Sequence, residues 1–462
     1  MKAVLDPDCV LATGLAAIRT QYQVPRSFPQ PVLEAAEAAA RRVPAEHVDR
    51  TAIPFVTLDP ANATDLDQAL AIEASGSDLL LRYAIADVAW FVEDGDPVDT
   101  EAWRRGSTLY LPDGKASLYP PVLSEGAASL LPDGPRPVVL FTVRVAPDGS
   151  VKLDGAERAL IRSRAKLAYE TVTESELPPQ FGELSRRIAL AEAARGASRV
   201  DPPEQEVAHR GDGGYALAFR ARHPSEDQNA ALSLAANLAI AQALQAHHTG
   251  LFRVMAEPDA GAVQRLRNTA RALGVAWPAA QPLAEFRNGL DAADPHQAAL
   301  MLAIRRAGQG ASYAPWRADV LPWHAAVAAP YVHATAPLRR LADRYVIRAT
   351  LAVANGQPVP DAVQQAFERL PKVMGRTDSL SGQIDRAVID LAEAVMLDGR
   401  EGESFAAVVT DVDARGARMQ LADLPVVTRI DAPGVAPGAP LHVRLIDADP
   451  GQRSIRFEPV AG

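Results

Sequence analysis

An α+β fold is predicted for this chain of 462 residues by three features of its sequence. Alternating apolar runs fill much of the stretch from about residue 53 to residue 160, the signature of strands. Helical periodicity dominates from about 228 to 397, and five short strand-like runs punctuated by Pro-Gly pairs close the chain. Segregated strand and helix regions favour α+β architecture, here mixed sheets with helices, over a regular βαβ alternation.

Taken in order, residues 1–50 read as a small helical module. Asp8 is placed to cap a helix running to about Thr20 with Val10, Leu11, Leu15 and Ile18 on its apolar face. Pro25, Pro29 and Pro31 mark a loop, and a second helix is expected from about Pro31 to Val43, with Leu33, Ala36, Ala40 and Val43 on one side. The pair has helix-turn-helix character, and RNA contact and simple packing both stay open as its role.

Residues 51–400 form the main domain. Leu79–Ala86 and Pro137–Val145 are clear strands, the second ending at a Pro147-Asp148-Gly149 turn before Val151 resumes. Helices are expected near Gln228–Thr249, Ala260–Leu273, Pro295–Arg306, Arg339–Val353 and Ser379–Leu397. In the last, Leu380, Ile384, Val388, Leu391 and Val395 recur at helical spacing, so Asp385 lies beside a buried stripe. Residues 401–462 carry strands at Phe405–Val412, Arg418–Leu421, Val426–Ile430, Leu441–Ile446 and Ser454–Phe457. Five short strands over so few residues suit an OB-type barrel. Its only aromatic residues are Phe405 and Phe457, so backbone contact is expected to exceed base stacking there.

Composition narrows the function. Apolar residues make up 48% of the chain, enough for a large core. A single cysteine, Cys9, excludes an intramolecular disulfide framework and a cysteine-based zinc site, which fits a reducing cytoplasm. Asp6 and Asp8 stand where a secretory signal would need apolar residues. The apolar helix around Ala230–Ala246 is too short and too interrupted to span a bilayer, so no membrane partner is expected. A monomer is expected. Net charge is −10, mildly against nucleic acid, yet acid concentrates between Asp59 and Glu101. Arginine concentrates at Arg339, Arg340, Arg344 and Arg348 and at Arg253, Arg265, Arg267 and Arg271.

The most informative run is Thr57–Leu70, which holds Asp59, Asp65 and Asp67. Alternation along a strand lets Asp65 and Asp67 face the same way, and a turn at Pro60–Asn62 returns the chain toward Asp59. Clustered carboxylates repel, and Mg²⁺ or Mn²⁺ relieves that repulsion. An EF-hand is excluded, because Ala61 and Ala63 fall at ligand positions and the central glycine is missing. Spacing alone leaves a metal site and a polar turn whose aspartates cap backbone groups equally open.

Further blocks extend this motif. The pattern Asp59-Pro-x-x-Ala-x-Asp65-Leu-Asp67-x-Ala leads to Tyr83–Val88, Arg105–Ser107, Tyr110–Asp113, Pro120–Ser124, Ser129–Leu130 and Ile161–Tyr169. Ala235–Asn237, Leu251–Arg253 and His333–Arg340 with Asp343 and Arg348 complete the series. In this order the blocks resemble the RNB catalytic domain of the ribonuclease II/ribonuclease R family over about residues 51–397. The resemblance implies an RNB-type catalytic domain and a 3′→5′ exoribonuclease that hydrolyses single-stranded RNA to nucleoside 5′-monophosphates with Mg²⁺ or Mn²⁺. It implies catalytic roles for Asp59, Asp65 and Asp67, which would also hold the metal, and for Arg339 on the phosphate. Tyr110 and Tyr169 match tyrosines near the RNA 3′ end, and Asp385 stands where the family often has a glutamate. Arg340, His333 and Phe219 are further RNA-contact candidates.

Bland readings compete at each. Arg339 and Arg340 could form structural salt bridges with Asp343, Tyr110 and Tyr169 could be core rings, His333 could be structural beside His324, and Phe219 could be a core strand residue. Departures matter as well. The family's fourth aspartate is Gln68 here, a candidate neutral metal ligand, while Ala84 and Ala336 replace a histidine and a serine. Family members usually carry paired cold-shock barrels at the N-terminus, for which 50 residues leave no room. Two other functions stay in play: a catalytically weak RNA-binding protein on the same scaffold, and a metal phosphodiesterase for a small molecule.

Overall fold

The computed structural model describes residues 2–4, 9–197, 204–209, 214–220, 222–291, 294–308, 310–413 and 416–460. At its centre is a seven-stranded sheet. Its spatial order is Ser163–Ala168, Phe55–Asp59, Gln68–Ser75, Asp78–Ala86, Arg136–Val145, Val151–Ile161 and Val48–Asp49. Neighbours are antiparallel except at the two edges, where Ser163–Ala168 runs parallel to Phe55–Asp59 and Val48–Asp49 parallel to Val151–Ile161. The inner strands are buried on both faces, with Val138, Val139, Leu140, Phe141 and Val143 all inaccessible. Such a strand needs cover on both sides.

Part of that cover is the helix Pro224–Ala246, which packs on Arg136–Val145 and Val151–Ile161. Its buried positions are mostly Ala and Leu and run all round its axis, as a core helix requires. It starts four residues before the Gln228 read from periodicity. Pro224 occupies the first turn, and His223 and Glu226 form a capping box, a boundary set by cap chemistry rather than by the apolar stripe. The strand Leu251–Met255 follows, and then a helical unit whose helices Ala260–Ala272 and Pro295–Ala307 enclose a separate small core of Leu266, Leu273, Phe286, Leu300 and Ile304.

The helix predicted over Ser379–Leu397 is the second half of one running Asp361–Leu397, through Pro371. A proline removes one backbone hydrogen bond and crowds the preceding turn. Burial of Val363, Phe367, Leu370 and Met374 on either side of it offsets that cost.

The N-terminal helices are present as Val10–Gln21 and Gln30–Ala40, but they share no core. Leu11, Leu15 and Ile18 pack on Ile384, Val388 and Leu391 of the long helix, whereas Val32 and Ala36 join the core of the main domain. The helix-turn-helix reading gives way to two helices docked separately. The Asp8 cap lies outside the described residues. Sequence reasoning also missed the strand Lys2–Val4, which pairs with Tyr215–Arg220 in a three-stranded sheet with Glu204–His209.

At the C-terminus five antiparallel strands follow the order Val427–Ile430, Gly416–Leu421, Ser404–Asp413, Pro440–Asp449 and Ser454–Pro459. The two outer strands approach each other, so the barrel is nearly closed. Val409, Met419, Leu421, Val443 and Leu445 fill it. Phe405 and Phe457 pack edge to face on one another with centroids 5.9 Å apart. No helix among the described residues is long and apolar enough to cross a membrane.

Candidate active site

The site forms where the parallel edge pair and the Phe55–Asp59/Gln68–Ser75 connection meet. Asp59 is the last residue of its strand, and Ala168 is its register partner, so Tyr169 emerges beside it. The Tyr169 amide donates to the Asp59 carbonyl at 3.1 Å. Residues 60–67 return in a loop that Ser129 fixes at Thr64 and Leu66. Its hydroxyl accepts from the Leu66 amide at 2.9 Å and donates to the Thr64 carbonyl at 2.7 Å. The Leu130 amide adds a bond to the Leu66 carbonyl, and the Ala86 amide one to Asp67. Asp65 and Asp67 are thereby held without regular secondary structure, while Asp59 ends a strand.

Each carboxylate has a different surrounding. Asp67 is 4% exposed; its Oδ1 accepts from the Leu338 amide at 2.7 Å and its Oδ2 from Arg339 Nε at 3.2 Å. Asp65 pairs through Oδ1 with Lys115 Nζ at 2.7 Å and accepts through Oδ2 from the Tyr110 hydroxyl at 3.0 Å. Asp59 Oδ2 is buried and has no hydrogen-bond donor among the described residues. Burial raises the pKa of Asp59 and of Asp67 to about 7; the Arg339 charge opposes this and Asp65 adds to it. Two carboxyls poised near neutrality beside a third are the electrostatic state a cation would relieve.

Arg339 lies across this cluster with its side chain 46% exposed. Nε is committed to Asp67, while the terminal nitrogens have no protein partner among the described residues. Arg340 differs. Its guanidinium grips both oxygens of Asp343 at 2.9 and 2.8 Å, the structural salt bridge that sequence reasoning had offered for either arginine. Asp343 also accepts from the Ala336 amide, so this pair shapes the segment that presents Arg339. Burial works against the Arg340 charge, and Asp343 more than compensates, holding it above the ordinary arginine range.

Tyr110 and Lys115 stand directly opposite each other on a hairpin, Leu109–Leu111 and Gly114–Ala116, which explains why both reach Asp65. Tyr110 is 50% exposed, so its ring is open to a stacking partner. The Tyr169 hydroxyl accepts from Asn229 Nδ2 at 2.8 Å, and its ring lines a cavity of about 690 Å³ with Phe181, His223 and Gln228. Burial first and then Asp59 push the Tyr169 hydroxyl up to about 12, so it stays protonated.

The remaining candidates lie apart. Gln68 turns its Oε1 to the buried Tyr83 hydroxyl at 2.6 Å, so this amide oxygen is already engaged. His333 Nδ1 bonds the Tyr313 hydroxyl at 2.9 Å between the rings of Tyr313 and Tyr331. Burial and the nearby Arg340 and Arg253 hold it well below the ordinary histidine range, so it is neutral. Asp385 is exposed on the long helix, and its charged neighbour is Glu204 rather than the clustered aspartates. Phe219 belongs to the three-stranded sheet, half-buried opposite Gln205. Sequence reasoning passed over Lys115 and Asn229, and placed Ser129 in a motif block without giving it a role. The Pro112-Asp113-Gly114 turn signal was there to pair Leu111 with Gly114 and so place Lys115 opposite Tyr110.

No group of three or more His, Cys, Asp or Glu side chains among the described residues is drawn together as a ready cation cage. The donor chemistry nevertheless fits a hard divalent ion. Asp59 offers an orphaned carboxylate oxygen, Asp67 is buried, and Asp65, paired with Lys115, acts electrostatically on both.

A family model described as the RNB domain matches residues 47–356, and one described as the RNase II-type exonuclease C-terminal S1 domain matches residues 403–460. The chain belongs to the RNB-domain family. Among curated relatives of this RNB protein, ribonuclease R of Aquifex aeolicus is 28% identical over 441 residues, 88% of this chain and 61% of the relative. Exoribonuclease 2 of Yersinia enterocolitica is 29% identical over 427 residues, 86% of this chain and 64% of the relative. The chain thus spans less than two thirds of the length of either. Mycoplasma genitalium RNase R in complex with ribose-methylated single-stranded RNA has a similar fold: TM-score 0.87, 19% identity, covering 100% of this chain and 79% of that one. Yeast Ssd1, a pseudonuclease, superposes with TM-score 0.70 at 18% identity over 93% of this chain and 56% of its own.

Proposed function

We propose that this RNB protein is a 3′→5′ exoribonuclease that hydrolyses single-stranded RNA to nucleoside 5′-monophosphates with Mg²⁺ or Mn²⁺. Residues 51–400 carry the chemistry, residues 401–462 contact RNA, and residues 1–50 brace both. The observation that carries this reading is that the buried Asp59 and Asp67 both lie under the charge of the half-exposed Arg339. The match to curated enzymes named ribonuclease R and exoribonuclease 2 supports it.

Arg339 uses one nitrogen on Asp67 and keeps the others for a phosphate, which a planar fork binds in two-pronged fashion where a lysine cannot. As negative charge builds on the phosphoryl oxygens, the same guanidinium stabilises it in a partly dry site. Asp59 and Asp67, with Asp65 alongside, would hold the divalent ions, which supply an acidified water and charge neutralisation when bound. Tyr110 and Tyr169 flank the carboxylates and offer faces for terminal bases. Stacking of this kind contributes roughly 1–3 kcal/mol per base and tolerates any base, as a sequence-indifferent exonuclease requires.

One observation favours a second reading, a catalytically weak RNA binder: Gln68 replaces a carboxylate, and its oxygen is engaged by Tyr83. A single assay separates them. End-labelled single-stranded RNA is incubated with Mg²⁺ or Mn²⁺, and in parallel with EDTA. A ladder shortening to mononucleotide, abolished by EDTA, is expected. Retarded but intact RNA would support the binder, and no interaction at all would point to a small-molecule phosphodiesterase.

A further inference from the structure

The hairpin beside the clustered aspartates is fastened at several points. Leu109, Leu111 and Ala116 are buried in the same core as Leu11 and Leu15 of the first helix and Leu391 of the long one. At the hairpin tip, Arg19 of the first helix donates to Asp113 from Nε at 2.8 Å and from Nη2 at 2.7 Å. Arg19 Nη2 also reaches the Gly114 carbonyl at 2.9 Å, next to Lys115. A lysine on a strand pinned in this way has lost much of its freedom before it makes any contact.

What Lys115 touches is a set of oxygens that would suit a metal ion. Its Nζ lies 2.7 Å from Asp65 Oδ1, 3.2 Å from Glu125 Oε1 and 3.1 Å from Thr64 Oγ1. Two carboxylates and a hydroxyl are hard donors of the kind Mg²⁺ and Mn²⁺ select. An ammonium has three N–H bonds, one for each of these oxygens. Thr64 in turn donates to Glu125 Oε2 at 3.0 Å, and Glu125 is carried on the π-helical turn Leu123–Ala127. Exposed lysine–carboxylate pairs contribute little to stability. This one differs, because the Lys115 side chain is 20% exposed and that of Asp65 only 10%.

The remaining ligand oxygens divide the same way. Asp65 Oδ2 accepts from the Tyr110 hydroxyl and Gln68 Oε1 from the Tyr83 hydroxyl, whereas Asp59 Oδ2 has no donor among the described residues. We propose that Lys115 is a positioning residue that serves Asp65 as a resident cation, in the place a divalent ion would otherwise take. The charge of Asp65 is thereby answered at any metal concentration, and divalent ions are left to Asp59 and Asp67. This assignment deepens the exoribonuclease reading above and rests on it.

The test is uptake of Mn²⁺ by the full chain without RNA, read from the free ion by electron paramagnetic resonance. Lys115→Met keeps the stem and removes the charge, and should bind about one more equivalent of Mn²⁺ than wild type. Lys115→Arg keeps a cation there and should bind no more than wild type; a gain equal to that of Lys115→Met would overturn the proposal. The gain should vanish when Asp65→Asn is added to Lys115→Met, and a gain that persists puts the added ion elsewhere and overturns it too. So does a Lys115→Met protein that melts as cooperatively as wild type in EDTA yet takes up nothing extra. Asp65→Asn alone decides the matter however Lys115→Met folds. It should keep every wild-type equivalent, and losing one would make Asp65 a metal ligand in spite of Lys115. Hydrolysis of labelled RNA is read separately. A wild type that takes up no Mn²⁺ tells against the metal-assisted reading, while the difference between variants still decides Lys115.

Discussion

At the scale of single residues the carboxylate cluster makes its own case for chemistry. A buried carboxyl left without a donor is expensive, and Asp59 Oδ2 is one. Asp67→Asn preserves the bond from the Leu338 amide while removing the charge. Nucleotide release is expected to fall at least about a hundredfold, the scale of losing one charge-stabilising group. RNA affinity in EDTA should hold or tighten, because Arg339 loses its carboxylate partner; a parallel loss of affinity would count against a metal-holding role. Arg339→Lys should cut turnover by more than roughly tenfold with little change in affinity, since lysine keeps the charge and loses the fork. Wild-type turnover in that variant would remove Arg339 from the mechanism. Asp59, Asp65 and Asp67 could be singled out in sequence because they fall within one short run, and Arg339 because it lies in the block His333–Arg340. Lys115 and Asn229 could not, because each acts on a partner far along the chain, reached only through folding.

At the scale of elements, the strands and helices with strong periodicity were legible, and their limits were less so. The helix at Pro224 begins at a cap, and the helix through Pro371 continues because tertiary burial outweighs a local breaker. Three residues, Lys2–Val4, are too few for any pattern to mark a strand; only their partner Tyr215–Leu217 defines it. Gly149 is a case where turn chemistry did read through. The predicted Pro147-Asp148-Gly149 turn joins two strands with Gly149 at φ 77°, and a Cβ there would run into the Arg187 carbonyl oxygen of the helix Phe181–Arg195. Gly149→Ala meets both an unfavourable backbone region and a fixed backbone obstacle. It should cost about 1–3 kcal/mol in denaturant unfolding with turnover per folded molecule unchanged. A neutral result would mean that helix and turn are less closely packed than these contacts require.

For the whole molecule the question is how fold stability and site chemistry constrain one another, and pH exposes the link. Asp59 and Asp67 have pKa values near 7 in the fold, against ordinary carboxylate values in the unfolded chain. Between those limits the folded state binds more protons than the unfolded state, so these groups lower stability as pH rises from about 4 to about 7. Glu393 adds to this. Burial raises it to about 7 where it accepts from the Val427 amide at 2.8 Å and from Gln205, joining the long helix to the barrel. His324, lowered to about 4 chiefly by burial, works in the opposite direction over much of the same range, as does His333. A bare pH scan therefore mixes signs, and differences are the useful readout. A divalent ion binds only the ionised aspartates, so the rise in melting temperature produced by Mg²⁺ should grow from about pH 5 to about pH 8 and level off above the folded pKa values. Asp67→Asn should flatten that growth, while Glu393→Gln should leave it intact and instead reduce the metal-free decline. A Mg²⁺ effect independent of pH, or one surviving Asp67→Asn in full, would place the ion elsewhere than on this pair.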